Sequence, residues 1–193
     1  MKKKRESGGA GWSRQVTAAL VAAVCLVGSG AASAEPRVEL ETFLGIGRTG
    51  LGGGGTIGVP IGGHLVLMTG VAGQGSGDDG YASYWVRVPA ELKLYIVRPR
   101  AGGLVPQLRL GAAYVRTGAD LGGRHLSGKG VEGLGGLGLS YMVSERFGVS
   151  SEIGLTYGRY TQENGGIGVL AVASGVEGWR VGLDWRLGVL FRI

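Results

Sequence analysis

The last fifteen residues of the chain alternate between apolar side chains and polar or small ones. The odd positions from Trp179 to Ile193 carry aromatic or aliphatic side chains, whereas the even positions carry mainly Arg, Asp and Gly. Successive side chains of a β-strand point to opposite faces, so this segment predicts a strand with one apolar and one polar face. A soluble sheet could use such a strand once. Repeated around a closed ring behind a secretory leader, the pattern predicts a barrel with lipid outside and a polar interior.

A secretory signal peptide is predicted for residues 1–34. A basic segment at 2–5 precedes an apolar run at 16–27 and small residues that allow cleavage after Ala34. The alternative is a transmembrane helix, but the apolar run has about a dozen residues and a spanning helix needs roughly 20. We therefore expect residues 35–193 to form the mature protein, which is a single domain by length.

The leader holds most of the positive charge of the chain. The formal net charge is +6, of which the leader supplies +4, so the mature protein keeps +2. Nucleic-acid binding, which a strongly basic chain would suggest, thereby loses its main support. The single cysteine, Cys25, also lies in the leader, and the residues before it do not match a lipoprotein signal. We therefore expect a mature protein without disulfides or thiolate metal sites.

Eight amphipathic segments of the mature sequence have the length that crosses an outer membrane at a tilt. The predicted strands are 37–47, 54–61, 64–73, 84–97, 104–116, 131–142, 147–157 and 179–193. We therefore predict an all-β fold, a closed antiparallel up-and-down transmembrane barrel of eight strands over residues 35–193.

The predicted connections alternate in length, which is typical of barrels with short periplasmic turns and longer external loops. The longest external connections, at 117–129 and 159–178, are where we expect contact sites, because loops on a rigid scaffold commonly carry function. Within the second of them, the apolar stretch 167–173 suggests an extra strand, a cover over the barrel mouth or a contact with a partner.

Aromatic residues lie near the predicted strand ends at both sides of the barrel. Tyr84, Tyr114, Tyr157 and Trp179 are next to longer connections, and Tyr141, Phe147 and Phe191 are next to short turns or the end of the last strand. Amphipathic rings prefer the membrane–water interface, so these two groups predict two aromatic girdles.

Charged residues of both signs fall on the predicted inner face. They are Glu39, Glu41, Arg87, Glu91, Lys93, Arg109, Glu132, Glu152, Arg180, Asp184 and Arg186. A connected network of buried charges is tolerable whereas an isolated one is costly, and small barrels are usually filled by side chains. We therefore expect structural pairing, with acid–base catalysis or an ion-selective lining as the alternatives. Glycines on the same face would provide space for it, namely Gly45, Gly111, Gly136, Gly154, Gly182 and Gly188.

The segment around His125 and Ser127 is the one that suggests catalysis. Alternation places both side chains on one face, with Glu132 a few residues on, and a Ser/His/acid set can form an acyl-transfer nucleophile. The segment resembles the His-x-Ser motif of lipid A deacylase barrels, which continues with Asn where this chain has Gly128. The alternative is an ordinary polar loop. His64 lies beside a tight turn, and no spacing of Asp, Glu and His indicates a metal site, so we expect no catalytic, cofactor-binding or metal-binding residues.

With its leader, eight strands and terminal Val189-x-Phe191-x-Ile193 pattern, the chain resembles the small outer-membrane β-barrel proteins of the OmpA transmembrane-domain and OmpX type. The resemblance implies a place in the outer membrane of a Gram-negative bacterium, among outer-membrane lipids and lipopolysaccharide. It also implies recognition of the last strand by the barrel-assembly machinery, although that signal ends more often in Phe than in Ile. We expect no peptidoglycan-binding domain after the barrel.

The predicted function is therefore a structural or surface-interaction role for a monomeric barrel without a cofactor. The alternatives are a lipid A-modifying acyl hydrolase and a narrow pore.

Overall fold

The structure is a computed structural model that describes residues 38–47, 50–78, 81–121, 123–164 and 177–193. The predicted signal peptide and the apolar stretch 167–173 lie outside these residues. In the described part of the chain, no helix is long and apolar enough to cross a membrane.

The described residues form eight antiparallel strands that close into a barrel. The strands are β1 (Glu39–Gly47), β2 (Gly50–Ile61), β3 (Leu65–Asp78), β4 (Tyr81–Tyr95), β5 (Leu104–Leu121), β6 (Arg124–Met142), β7 (Phe147–Asn164) and β8 (Gly178–Arg192). Each strand pairs with its neighbours in the sequence, and β8 pairs with β1 to close the ring. Closure gives every strand a hydrogen-bonded neighbour on both sides, which is the requirement for a sheet surrounded by lipid. The predicted fold class is confirmed.

The two faces of the wall differ as the alternation predicts. On β8, Val181, Leu183 and Leu187 point outward and are exposed, whereas Asp184 and Arg186 point inward and are buried. The same division holds on the other strands, so large aliphatic side chains cover the outer surface. A soluble monomer rarely exposes a continuous apolar patch of more than a few hundred Å². This outer wall is therefore suited to contact with lipid.

Aromatic pairs mark both borders of the apolar wall. The Tyr157 ring stacks on Trp179 with centroids 5.0 Å apart, and Phe147 packs against Phe191 at 5.2 Å. On β7, Tyr157 is ten positions after Phe147. At about 3.4 Å per residue and a tilt of about 45°, that distance is about 24 Å across the membrane. It matches the apolar band of outer-membrane barrels, so the predicted positions of the aromatic girdles are consistent with the structure.

Several strands continue well beyond their predicted ends. The segment 117–129, predicted as a long external loop, is instead the hairpin between β5 and β6, in which Leu121 pairs with Arg124. Gly123 at its turn has φ +85°, a conformation that glycine adopts without strain. Residues 50–53, predicted as a connection, belong to β2, and residues 74–78 extend β3.

The predicted alternation of connection lengths is therefore wrong after β3 and β5. Two residues separate β3 from β4 and β5 from β6, whereas eight, 96–103, separate β4 from β5 at the opposite end. The physical reason is that apolar alternation ends where lipid ends, while the backbone hydrogen-bond ladder needs no apolar side chain to continue. Gly, Ser, Thr and Asp residues prolong the strands past the girdle and look like loops in the sequence.

We expect Leu187→Arg to impair insertion, because a charge on the lipid face near the midplane costs about 2–4 kcal/mol. Thr161→Arg is the matched control, since Thr161 also points outward but lies beyond the girdle residue Tyr157. The measurement is the folded fraction in lipid bilayers, read from the mobility of heated and unheated samples in an electrophoresis gel. Equal folding of Leu187→Arg and wild type would contradict the outward placement of this side chain.

Candidate functional site

Arg109 is the centre of the charged network that fills the barrel lumen. Its guanidinium forms ion pairs with Glu41, with Glu91 at 3.1 Å and with Glu152 at 2.6 Å. Glu152 also pairs with Arg186, and all five side chains are buried. The sequence prediction that Glu152 pairs with interior cations is confirmed.

A second group of charges lies at the end of the barrel where β1 begins and β8 ends. Glu39 accepts hydrogen bonds from Lys93 at 2.8 Å and from the Tyr95 hydroxyl at 2.7 Å, and Arg192 lies 3.4 Å from it. Lys93 also donates to Glu41 at 3.2 Å, which joins this group to the Arg109 group. The charged side chains in this half of the lumen thus form one connected network, as buried charges require.

Towards the other end of the lumen, the charged network is smaller, and aromatic side chains donate some of its hydrogen bonds. Arg87 pairs with Asp184 at 3.2 Å, and Asp184 also accepts a hydrogen bond from Gln74. Glu132 accepts hydrogen bonds from the Trp85 indole at 3.3 Å and from the Tyr160 hydroxyl. Asp184 therefore has the cationic partner that the sequence predicts, whereas the bonds of Glu132 to two aromatic residues were not foreseen.

Glycines on the inner face make room for these side chains. A Cβ atom at Gly136 would lie 2.8 Å from a carboxylate oxygen of Glu152, and one at Gly188 would lie 2.7 Å from the Ser150 hydroxyl. Real Cβ contacts are essentially never this short, so a larger residue would displace the network. The predicted role of the inward glycines is confirmed at these two positions.

Little free space remains between the charges in the middle of the lumen. A cavity of about 10 Å³ lies among Arg87, Glu91, Arg109, Asp184 and Arg186. A cavity of this size holds about one water molecule. The described lumen is therefore packed with ion-paired side chains across its middle.

The residues of the suggested Ser/His/acid set do not meet. His125 and Ser127 lie on the outer side of β6, whereas Glu132 is buried on the inner side and bonded to Trp85 and Tyr160. The acid that contacts His125 is instead Asp120, whose carboxylate is 2.9 Å from the imidazole. Glu132 cannot join this set, because an odd and an even position on one strand face opposite sides.

The other histidine contacts a backbone carbonyl. The imidazole Nδ1 of His64 is 2.9 Å from the Tyr95 carbonyl at the turn before β3. Among the described residues, no group of three His, Cys, Asp or Glu side chains is arranged to hold a metal ion.

The aromatic girdle that contains Tyr157 and Trp179 is called the upper girdle. Three cations lie on the outer wall beside and beyond it. Arg116 and Lys129 are directly opposite each other on β5 and β6, and Arg159 follows on β7, with its guanidinium 5.9 Å from the Trp179 ring centre. Lys129 forms an ion pair with Glu163 at 2.7 Å, and the hydrogen bond lowers the pKa of the Glu163 carboxyl from its ordinary value. We refer to Arg116, Lys129 and Arg159 as the cationic cluster. The cluster was not predicted from the sequence, although strand alternation, extended past residue 116, would place all three residues on one face.

We expect Asp184→Asn to lower the free energy of unfolding by about 3 kcal/mol, because Arg87 then stays buried without its partner. Arg87→Gln added to Asp184→Asn should recover about 0.5–3 kcal/mol of the summed losses. Arg192→Gln is the control for additivity, since Arg192 pairs with Glu39 instead. The measurement is a double-mutant cycle by urea titration in lipid vesicles. Strict additivity for Arg87 and Asp184 would argue against their direct pairing.

The architecture is shared with solved outer-membrane barrels. The N-terminal β-barrel domain of OprF from Pseudomonas aeruginosa is 17% identical, with a TM-score of 0.61, over 83% of this chain and 100% of that one. Neisserial surface protein A is 13% identical, with a TM-score of 0.58, over 81% and 96%. Ail, the attachment invasion locus protein of Yersinia pestis, is 12% identical, with a TM-score of 0.50, over 84% and 100%.

Comparison with known protein families gives no match, and comparison with curated protein sequences gives none either. The fold neighbours and the exposed apolar wall support the outer-membrane location that the sequence predicts. The chain has the fold of the small eight-stranded outer-membrane β-barrels.

Proposed function

We propose that this protein is a monomeric outer-membrane barrel with a structural or surface-interaction role, and that it does not transport solutes. Its contact surface is the rim, which we define as the parts of β3 to β7 beyond the upper girdle. We orient the barrel with both termini on the periplasmic side, as in other outer-membrane barrels. The rim then faces the outside of the cell, and the turns at 62–64, 96–103 and 143–146 face the periplasm. The barrel-assembly machinery would recognise the terminal strand β8.

The packed lumen is the observation that carries this proposal. The Arg109 group connects β1, β4, β5, β7 and β8 through buried ion pairs. An ion that crosses the barrel would have to break several of these pairs, and separating a buried pair is strongly unfavourable. The geometry therefore favours a closed scaffold and argues against a narrow pore.

The rim has the rigidity of paired strands. On β5, seven residues follow the girdle residue Tyr114, about 24 Å of strand at about 3.4 Å per residue. Exposed polar groups contact one another across its strands, as in the hydrogen bond between Asp120 and His125 and the stacking of His125 on Tyr84. Such a surface presents polar and aromatic groups in fixed positions, which suits recognition of a partner.

The enzymatic alternative has little support in the geometry. Acyl transfer needs a serine, a base and an acid within hydrogen-bond reach, and the barrel wall separates Ser127 and His125 from Glu132. Asp120 and His125 alone lack a nucleophile at hydrogen-bond distance in the described residues.

We expect a membrane-impermeant maleimide to label Arg124→Cys on intact cells and not Arg100→Cys. Both arginines are exposed, but Arg124 begins β6 at the rim and Arg100 lies in the connection at the opposite end. After lysis both variants should react equally, which controls for the reactivity of the thiol. Labelling of Arg100→Cys alone on intact cells would invert the orientation and contradict the surface role of the rim.

We expect the wild-type protein to show no steady single-channel current in planar bilayers, since the lumen is filled. Arg109→Ala is the comparison variant, because it removes three ion pairs at the centre of the lumen and should admit water and ions. A stable open channel formed by the wild type would favour the pore and contradict the closed scaffold.

A further inference from the structure

An apolar groove runs along the outer side of β6 in the lipid-facing wall. Gly133 and Gly135 form its floor, because both occupy outward positions without a side chain. A Cβ atom at Gly133 would lie 3.7 Å from its nearest neighbour, the Tyr157 carbonyl oxygen, and one at Gly135 would lie 3.9 Å from Leu110. The space above both glycines is therefore open, unlike the crowded space at the inward glycines.

Large side chains on both neighbouring strands form the walls of this groove. Leu110 on β5 and Leu155 on β7 flank Gly135 in the register of the sheet, and both are more than half exposed. Tyr157 on β7 is opposite Gly133. The groove measures about 570 Å³ around Gly135 and continues for about 780 Å³ past Tyr157 towards the rim.

The upper end of the groove leads to the cationic cluster. The stretch that contains Gly133, Val131 and Tyr157 is also lined by Lys129 and Arg159. Arg116 lies directly opposite Lys129, and like charges in that arrangement repel each other. Glu163 neutralises one of the three cations, which leaves a net charge of +2 on the cluster.

This charge is confined to one side of the barrel. On β1 to β4, the described outward-facing side chains include no Lys, Arg, Asp or Glu. The cationic cluster therefore distinguishes the wall of β5 to β7 from the rest of the surface at the level of the membrane interface. A cationic end joined to an apolar groove is complementary to an anionic amphiphile, with its charge at the interface and its chain in the bilayer.

We propose that the groove and the cationic cluster form a binding site for the lipid A part of lipopolysaccharide. Arg116, Lys129 and Arg159 hold a phosphate group, and an acyl chain lies over Gly133 and Gly135. Lipopolysaccharide occupies the outer leaflet, at the level where the proposed orientation places the cluster, so this inference rests on the proposed function. Guanidinium groups are suited to phosphate because they offer two parallel hydrogen bonds to its oxygens.

The test is a titration of the folded mature protein in detergent with purified lipid A, followed by native mass spectrometry. The comparison ligands are lipid A without phosphates and phosphatidylglycerol. We expect one lipid A molecule to bind in preference to both. Equal binding of phosphate-free lipid A, or a preference for phosphatidylglycerol, would overturn the proposal.

Two sets of variants separate the two halves of the site. Replacing Arg116, Lys129 and Arg159 together by Gln should weaken lipid A binding at least tenfold and abolish the preference for phosphate. Filling the groove with Gly133→Leu and Gly135→Leu should also weaken binding at least tenfold while leaving that preference in place. The backbone tolerates both leucines, since the added Cβ atoms meet only ordinary contacts.

Matched controls lie elsewhere on the barrel. Gly73→Leu fills an outward glycine on β3, where an added Cβ would be 3.5 Å from its nearest neighbour. Arg98→Gln with Arg100→Gln removes exposed cations at the opposite end. Both controls should bind lipid A like the wild type, and an equal loss in them would overturn the proposal. The titration does not depend on membrane orientation, so its failure is distinguishable from a failure of the maleimide experiment.

Discussion

The pairing of β1 with β8 is the constraint on which the rest of the structure depends. It joins eight residue pairs from Glu39–Arg192 to Ile46–Trp185 and turns an open sheet into a ring. A ring of eight strands has an interior just wide enough for side chains, so every inward residue must share a narrow space with the others. Charges in that space need partners, and the partners need glycines opposite them, as at Gly136 beside Glu152.

The sequence predicts the membrane-embedded part of this fold well because lipid imposes a strict period of two. The polarity of Leu183 and Asp184 is enough to predict which one faces lipid and which one faces the lumen. The aromatic pair Tyr157 and Trp179 marks the border of the apolar wall. The inward charges were identified from the same alternation. Which charge pairs with which could not be predicted, because partners such as Arg87 and Asp184 lie 97 residues apart and meet only after the ring closes.

The rim and the outer site escaped prediction for a different reason. Beyond the girdle the outward side chains meet water instead of lipid, so the apolar alternation disappears from the sequence although β5 and β6 continue to pair up to Leu121 and Arg124. Gly133 and Gly135 did not indicate the groove in the sequence, because glycine has no side chain whose polarity would predict an outward or an inward position. Their surroundings become visible only when Leu110 and Leu155 are placed beside them by the register.

The wide sequence separation of the lumen ion pairs bears on how the barrel forms. Glu39 and Lys93 come from β1 and β4, Arg109 and Glu41 from β5 and β1, and Arg87 and Asp184 from β4 and β8. A sheet of a few strands would expose these charges to lipid without their partners. Insertion one hairpin at a time would therefore pass through costly intermediates, whereas a sheet that curls and closes as it enters keeps the charges together. The polar interior thus favours concerted folding and makes the two ends of the chain mutually dependent.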